Sequence, residues 1–127
     1  MPISSPYILA NEAMTLLARL IAKQEGFGIP GAIPTTHNSP GDLRHAPHAS
    51  HEGEGSNDIG IEPTVADGWA DLERQLKLYA ERGLTLRQAI YEFAPPEENN
   101  SEQYLADICR GLGLLDSTPV AQALTLQ

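Results

Sequence analysis

The sequence predicts a mainly helical globule interrupted by one long polar excursion. Apolar residues recur at three- and four-residue spacing in blocks before residue 26 and after residue 63, the pattern of amphipathic helices. Between those blocks, residues 26–63 hold no sustained period and are rich in Gly, Pro, His, Asn and Ser. With 127 residues, 41% of them hydrophobic, the chain fits one domain, 1–127, large enough for its own core. Cys109 is the single cysteine, so no intrachain disulfide is possible and packing must hold the fold.

Residues 1–6 read as an irregular arm, with Ser5-Pro6 as an N-cap and first helical position. A first helix is predicted from about Tyr7 to Glu25, with Met14, Leu17, Leu20 and Ile21 on its apolar face and Gly26 and Gly28 ending it. Within the excursion, only Asp58-Ile59-Gly60-Ile61 has strand character. Thr64 to Asp67 forms a variant capping box. It opens the clearest core helix, carrying Val65, Trp69, Leu72, Leu76 and Tyr79 at steps of four, three, four and three, and ending at Arg82-Gly83. A second box, Thr85 to Gln88, starts a short helix with Leu86, Ala89, Ile90 and Phe93 inward, stopped by Ala94-Pro95-Pro96. Ser101 caps a helix bearing Tyr104, Leu105, Ile108 and Leu112, closed by Gly111 or Gly113, and Thr118-Pro119 opens a last one to about Leu124. Cys109 falls on the apolar face of its helix, the place of a small core residue rather than a nucleophile.

Glu25 is the residue that stands out. It lies four residues after Ile21 and eight after Leu17, in line with the apolar stripe and in the last helical turn. Burial disfavours a carboxylate there, and so does the negative end of the helix dipole. Both raise its pKa, as a general acid at neutral pH requires. Unless Glu25 turns sideways into water, it is a proton donor.

QEG at 24–26, followed by the turn Asn38-Ser39-Pro40-Gly41-Asp42-Leu43, resembles the active-site entrance of the lysozyme-like superfamily, in its phage-type and lytic-transglycosylase-type domains. Gly68-Trp69-Ala70 opening a helix, and Ala94-Pro95-Pro96 leading to Glu98-Asn99 and Tyr104, also resemble segments of that family. The likeness spans most of residues 14–113. It implies an α+β lysozyme-like fold, with residues 26–63 forming a loop or small β-hairpin that walls a sugar cleft. It further implies cleavage of peptidoglycan glycan strands between amino sugars, with Glu25 as general acid and then base. Asn38 and Ser39 would contact sugar hydroxyl or N-acetyl groups, or simply shape the turn. Asn99 and Tyr104 match positions where a polar side chain and an aromatic hydroxyl approach the acid. Asp42 stands where the motif more often has asparagine, which leaves its contact open. Trp69, on the core stripe, reads as core rather than sugar platform.

A second carboxylate is less evident. Asp42, Glu52, Glu54 and Asp58 all lie in the excursion, and Asp58 is the most defensible, although it also reads as a turn residue beside Asn57. Without a second carboxylate, the sugar's N-acetyl group assists and the product is an anhydro sugar, which is the lytic-transglycosylase route. No cofactor is called for. His37, His45, His48 and His51 crowd together, and metal binding there competes with a solvated loop, which Pro47, Gly53 and Gly55 favour.

The net charge of −9 argues against nucleic acid and anionic membranes as partners, and no stretch reaches the roughly 20 apolar residues of a membrane span. The N-terminus lacks the basic start and apolar run of a secretory signal, so the expectation is a monomer that stays in the cytoplasm until released, or one whose leader has been removed. The acidic charge, the weak second carboxylate and the absent signal favour an alternative, a non-catalytic phage structural or wall-binding relative.

Overall fold

The computed structural model of the protein describes residues 14–43, 47 and 59–126. It is mainly helical, as predicted. Helix α1, Leu16–Glu25, starts later than the apolar spacing predicts. Thr15 is extended (φ −62°, ψ 153°) and caps the helix by accepting from the Ala18 N–H. Its own N–H and hydroxyl both donate to Glu73, at 3.0 and 2.8 Å. A helix running on through Thr15 would have no free N–H to give Glu73, so a distant carboxylate sets the start. Residues 7–13 of the predicted helix lie outside the described residues. At the other end Gly26, at φ +87°, turns its N–H back onto the Ala22 and Lys23 carbonyls, the left-handed closure that glycine adopts without strain.

The excursion contains one helical turn the spacing does not predict, α2, Ile33–Thr36, with Pro34 in its first turn. Ile61 is a single bridge residue, and no longer strand is formed among the described residues of the excursion. Two isolated backbone hydrogen bonds tie the edges of the excursion together instead: Glu62 N–H to the His37 carbonyl and Gly60 N–H to the Leu43 carbonyl, both 2.9 Å. Between them Asn38 and Asp42 take left-handed backbone angles (φ 53° and 52°) on either side of Pro40.

Helix α3, Val65–Glu81, is capped by Thr64, whose hydroxyl accepts from the Asp67 N–H. Helix α4, Leu86–Phe93, carries the predicted capping box, with both reciprocal bonds between Thr85 and Gln88 present. Helix α5, Ser101–Leu112, is capped by Asn100 rather than Ser101. Ser101 is buried, and its hydroxyl donates instead to the Ala94 carbonyl, closing the turn from α4. Gly113 ends α5, and α6, Val120–Ala123, follows Pro119.

Helix α1 packs on α3 and α5, α4 packs on α5 and α6, and α6 on α3. Leu17, Ile21, Leu72, Leu76, Leu86, Ile108 and Val120 are almost wholly buried where these helices meet. Each such side chain contributes about 1.5–3 kcal/mol relative to exposure. Trp69 is 2% exposed, with Phe27 edge-on at 5.6 Å, so it is core as predicted. Cys109 is half-buried, and burial raises its thiol pKa, against a nucleophilic role. No helix among the described residues is long and apolar enough to cross a membrane.

One close approach fixes the excursion against the helices. A Cβ on Gly68 would lie 1.9 Å from the Asn38 carbonyl oxygen and 2.7 Å from Pro40. Only glycine in the first turn of α3 lets the polar turn lie this close, which is the structural reason for the Gly68-Trp69 segment.

Candidate active site

The last turn of α1 and the middle of α5 bring Glu25 and Tyr104 together, 79 residues apart in sequence, with the Tyr104 hydroxyl donating to Glu25 Oε2 at 2.6 Å. Tyr104 is 7% exposed, and burial beside Glu25 raises its phenol pKa, so it stays a donor. Glu25 is half-buried at the edge of a groove of about 590 Å³. Burial is the main force on its carboxyl, and it outweighs the opposing Tyr104 hydrogen bond. The Asp42 charge adds to it, and the pKa is pushed up to about 7. Such a group holds a proton in near-neutral solution and can also release it, the property of a general acid that later serves as base.

The groove is lined by Asp42 and Leu43 from the polar turn, Tyr79 from α3, and Phe93, Glu98 and Asn99 from the end of α4 and the turn after it. A second cavity of about 290 Å³ adjoins Glu25 and Asn99 and is lined further by Gln24, Asn100, Gln103 and Tyr104. Of the residues the sequence singles out, Glu25, Asp42, Asn99 and Tyr104 therefore meet at one place. Asn38 and Ser39 do not reach the groove. The Asn38 amide donates to the Glu62 carbonyl at 3.2 Å, and Ser39 is 2% exposed, its hydroxyl accepting the Leu43 N–H at 3.1 Å. Of the two roles open to them, turn geometry is the one these bonds serve: they hold Asp42 at the groove. Asp58 lies outside the described residues.

His37 Nδ1 lies 3.2 Å from the Ile59 carbonyl, a contact that ties the excursion's two edges. His45, His48, His51, Glu52 and Glu54 lie outside the described residues, among which no group of His, Cys, Asp or Glu could hold a metal ion.

Sequence spacing misses Gln75, Tyr79, Glu92 and Phe93 as groove residues. Tyr79 and Phe93 sit on apolar helical faces and read as core. Phe93 is only half-buried because α4 ends there and the wall turns away. No family model matches the chain, and neither does any curated protein or solved structure.

Proposed function

We propose that the protein cleaves glycosidic bonds between amino sugars of peptidoglycan, as a lytic transglycosylase or glycoside hydrolase of lysozyme-like fold. The observation that carries the reading is Glu25 itself: a carboxyl at a groove, held by Tyr104 and titrating near neutrality. In the reaction the protonated Glu25 gives its proton to the bridging oxygen as the C1–O bond breaks. The electron pair leaves with that oxygen, and positive charge develops at C1.

Two completions are open to the site. In the first, the N-acetyl oxygen of the same sugar shields C1. The Glu25 carboxylate then takes the proton of the C6 hydroxyl as O6 bonds to C1, and no water is consumed. In the second, water attacks and a second carboxylate steadies the cationic centre. Asp42 would serve there, a role supported by its place on the groove wall and by the effect of its charge on Glu25. Both begin with the same proton transfer.

The test is release of soluble fragments from purified sacculi by wild type and Glu25→Gln. Wild type is expected to release them and the variant not, with wall binding and melting at pH 5 nearly unchanged. Equal inertness of the two proteins would refute the enzyme reading and leave the non-catalytic wall-binding alternative. Product masses lower by one water than hydrolysis products identify the transglycosylase route.

A further inference from the structure

The smaller cavity beside Glu25 is built from two helices and the turn that joins them to α4, with no residue from the excursion. Gln24 comes from the last turn of α1, Asn99 and Asn100 from the turn before α5, and Gln103 from the first turn of α5. All four side chains are carboxamides, each with an acceptor oxygen at one end and a donor NH2 at the other. A carboxamide free to flip reads donors and acceptors alike. What it recognises is decided by whatever holds one end.

Asp107 holds two of them. Gln24 donates through Nε2 to Asp107 Oδ2 at 3.0 Å, and Gln103 donates through Nε2 to Oδ1 at 2.9 Å. Arg110 donates to Oδ1 at 3.2 Å. The Gln24 bond first, and the Gln103 bond after it, hold the Asp107 carboxyl below the ordinary carboxylate range, so in neutral solution it is ionised and only accepts. Neither glutamine can turn its carbonyl to Asp107 without setting two acceptors against each other. Asp107 does not line the cavity at Glu25; it lines a separate one, with Lys23 and Ile108, which Gln24 also borders. With both NH2 groups committed to Asp107, the carbonyl oxygens are the ends left for the cavity at Glu25.

We propose that Asp107 is a positioning residue that fixes Gln24 and Gln103 as acceptors for the hydroxyl and acetamido N–H groups of the sugar bound beside Glu25. The inference rests on the glycan-cleaving reading of Glu25 and assigns a specificity device of that same site. Asp107 acts through the two amides and not on the proton of Glu25, which is governed by burial, Tyr104 and Asp42. Its effect therefore belongs in KM, with kcat and the alkaline limb of the pH profile left in place.

The test is Asp107→Asn, which keeps the shape of the side chain but turns one acceptor oxygen into an NH2. One glutamine must then present its carbonyl to residue 107 and its NH2 to the sugar. Both hydrogen bonds survive, including the one that joins α1 to α5, and the exposed Arg110 pair contributes little to stability. KM for N-acetylated glycan strands should rise about fivefold, the loss of one well-placed hydrogen bond, while Tm stays within about 2 °C. The Kd of the same strands for Glu25→Gln, measured by calorimetry, should rise equally on adding Asp107→Asn. Gln24→Met/Gln103→Met should raise KM at least as much, and in that background Asp107→Asn should add nothing, because no amide is left to orient.

An unchanged KM and Kd in Asp107→Asn overturns the inference. So does a fall in kcat and Tm with KM unchanged, which marks Asp107 as a clasp between helices. A full Asp107→Asn effect in the methionine background overturns it as well, since Asp107 would then act by another route. Expected shifts in Kd without fragment release by wild type overturn the cleavage reading alone. Strands that bind neither wild type nor Glu25→Gln overturn both.

Discussion

Glu25 is subject to opposite demands from two neighbours, and the balance sets its pH response. Burial and the Asp42 charge favour its protonated form, while the Tyr104 hydroxyl favours the carboxylate. With the pKa near 7, activity should fall as pH rises through 7, because the acid loses the proton it must donate. Tyr104→Phe removes a hydrogen bond that lowers this pKa, so the alkaline limb of the kcat profile should move upward. The loosened carboxyl should also lower kcat by about tenfold with KM little changed. A limb that stays in place, or moves down, would contradict the Tyr104 assignment. Glu25→Gln should lose about 10²–10⁴-fold in activity. The same substitution should stabilise the fold at pH 8 by on the order of 2 kcal/mol, because the wild type there buries a charge that the unfolded chain exposes. By pH 5, where folded Glu25 is already neutral, most of that gain should vanish; urea unfolding at the two pH values measures it.

At the scale of elements, two local devices hold the groove wall in place. Gly68 lets the turn carrying Asp42 lie against the first turn of α3, and an alanine there would drive Cβ into the Asn38 carbonyl oxygen at 1.9 Å. Gly68→Ala should therefore destabilise by about 3 kcal/mol and disturb Asp42, whereas helix propensity alone would predict a gain. Denaturant midpoints settle the sign. The Thr85–Gln88 box fixes the start of α4, and with it the direction in which Phe93 and Pro95 enter the groove. Thr85→Ala should cost about 1 kcal/mol with activity at 25 °C nearly kept, since the cap lies away from Glu25.

Across the described residues, two carboxyl groups hold a proton that the unfolded chain would release. Besides Glu25, Glu62 is 2% exposed beside Asp71, itself 1% exposed. Burial and the Asp71 and Asp67 carboxylates raise the Glu62 pKa well above the ordinary carboxylate range. Both groups keep a proton in the folded state at pH values where the unfolded chain, titrating near 4.5, has released it. Folding takes up protons at these two sites, so their contribution to stability is greatest below about pH 5 and is lost as pH rises through the raised folded values. The net charge of −9 acts in the same direction through self-repulsion. A melting series should show Tm dropping by several degrees from pH 5 to 9, and Glu62→Gln should flatten it. A Tm that rises over that range would refute the account of Glu62.

The helices after residue 63 were legible in the sequence because their apolar spacing, capping boxes and closing glycines agree with one another, as at Thr64–Tyr79 and Thr85–Phe93. Glu25 was legible for the same reason, an ionisable residue interrupting an otherwise apolar stripe. The starts of α1 and α5 were not, since Glu73 and the Ala94 carbonyl compete for the capping side chains from far along the chain or across a turn. Nor were the short helix α2 or the groove lining by Tyr79 and Phe93. Spacing along one chain states which face of a helix is apolar. Whether that face meets another helix or borders a groove depends on where its partners end, and only the packed tertiary structure decides that.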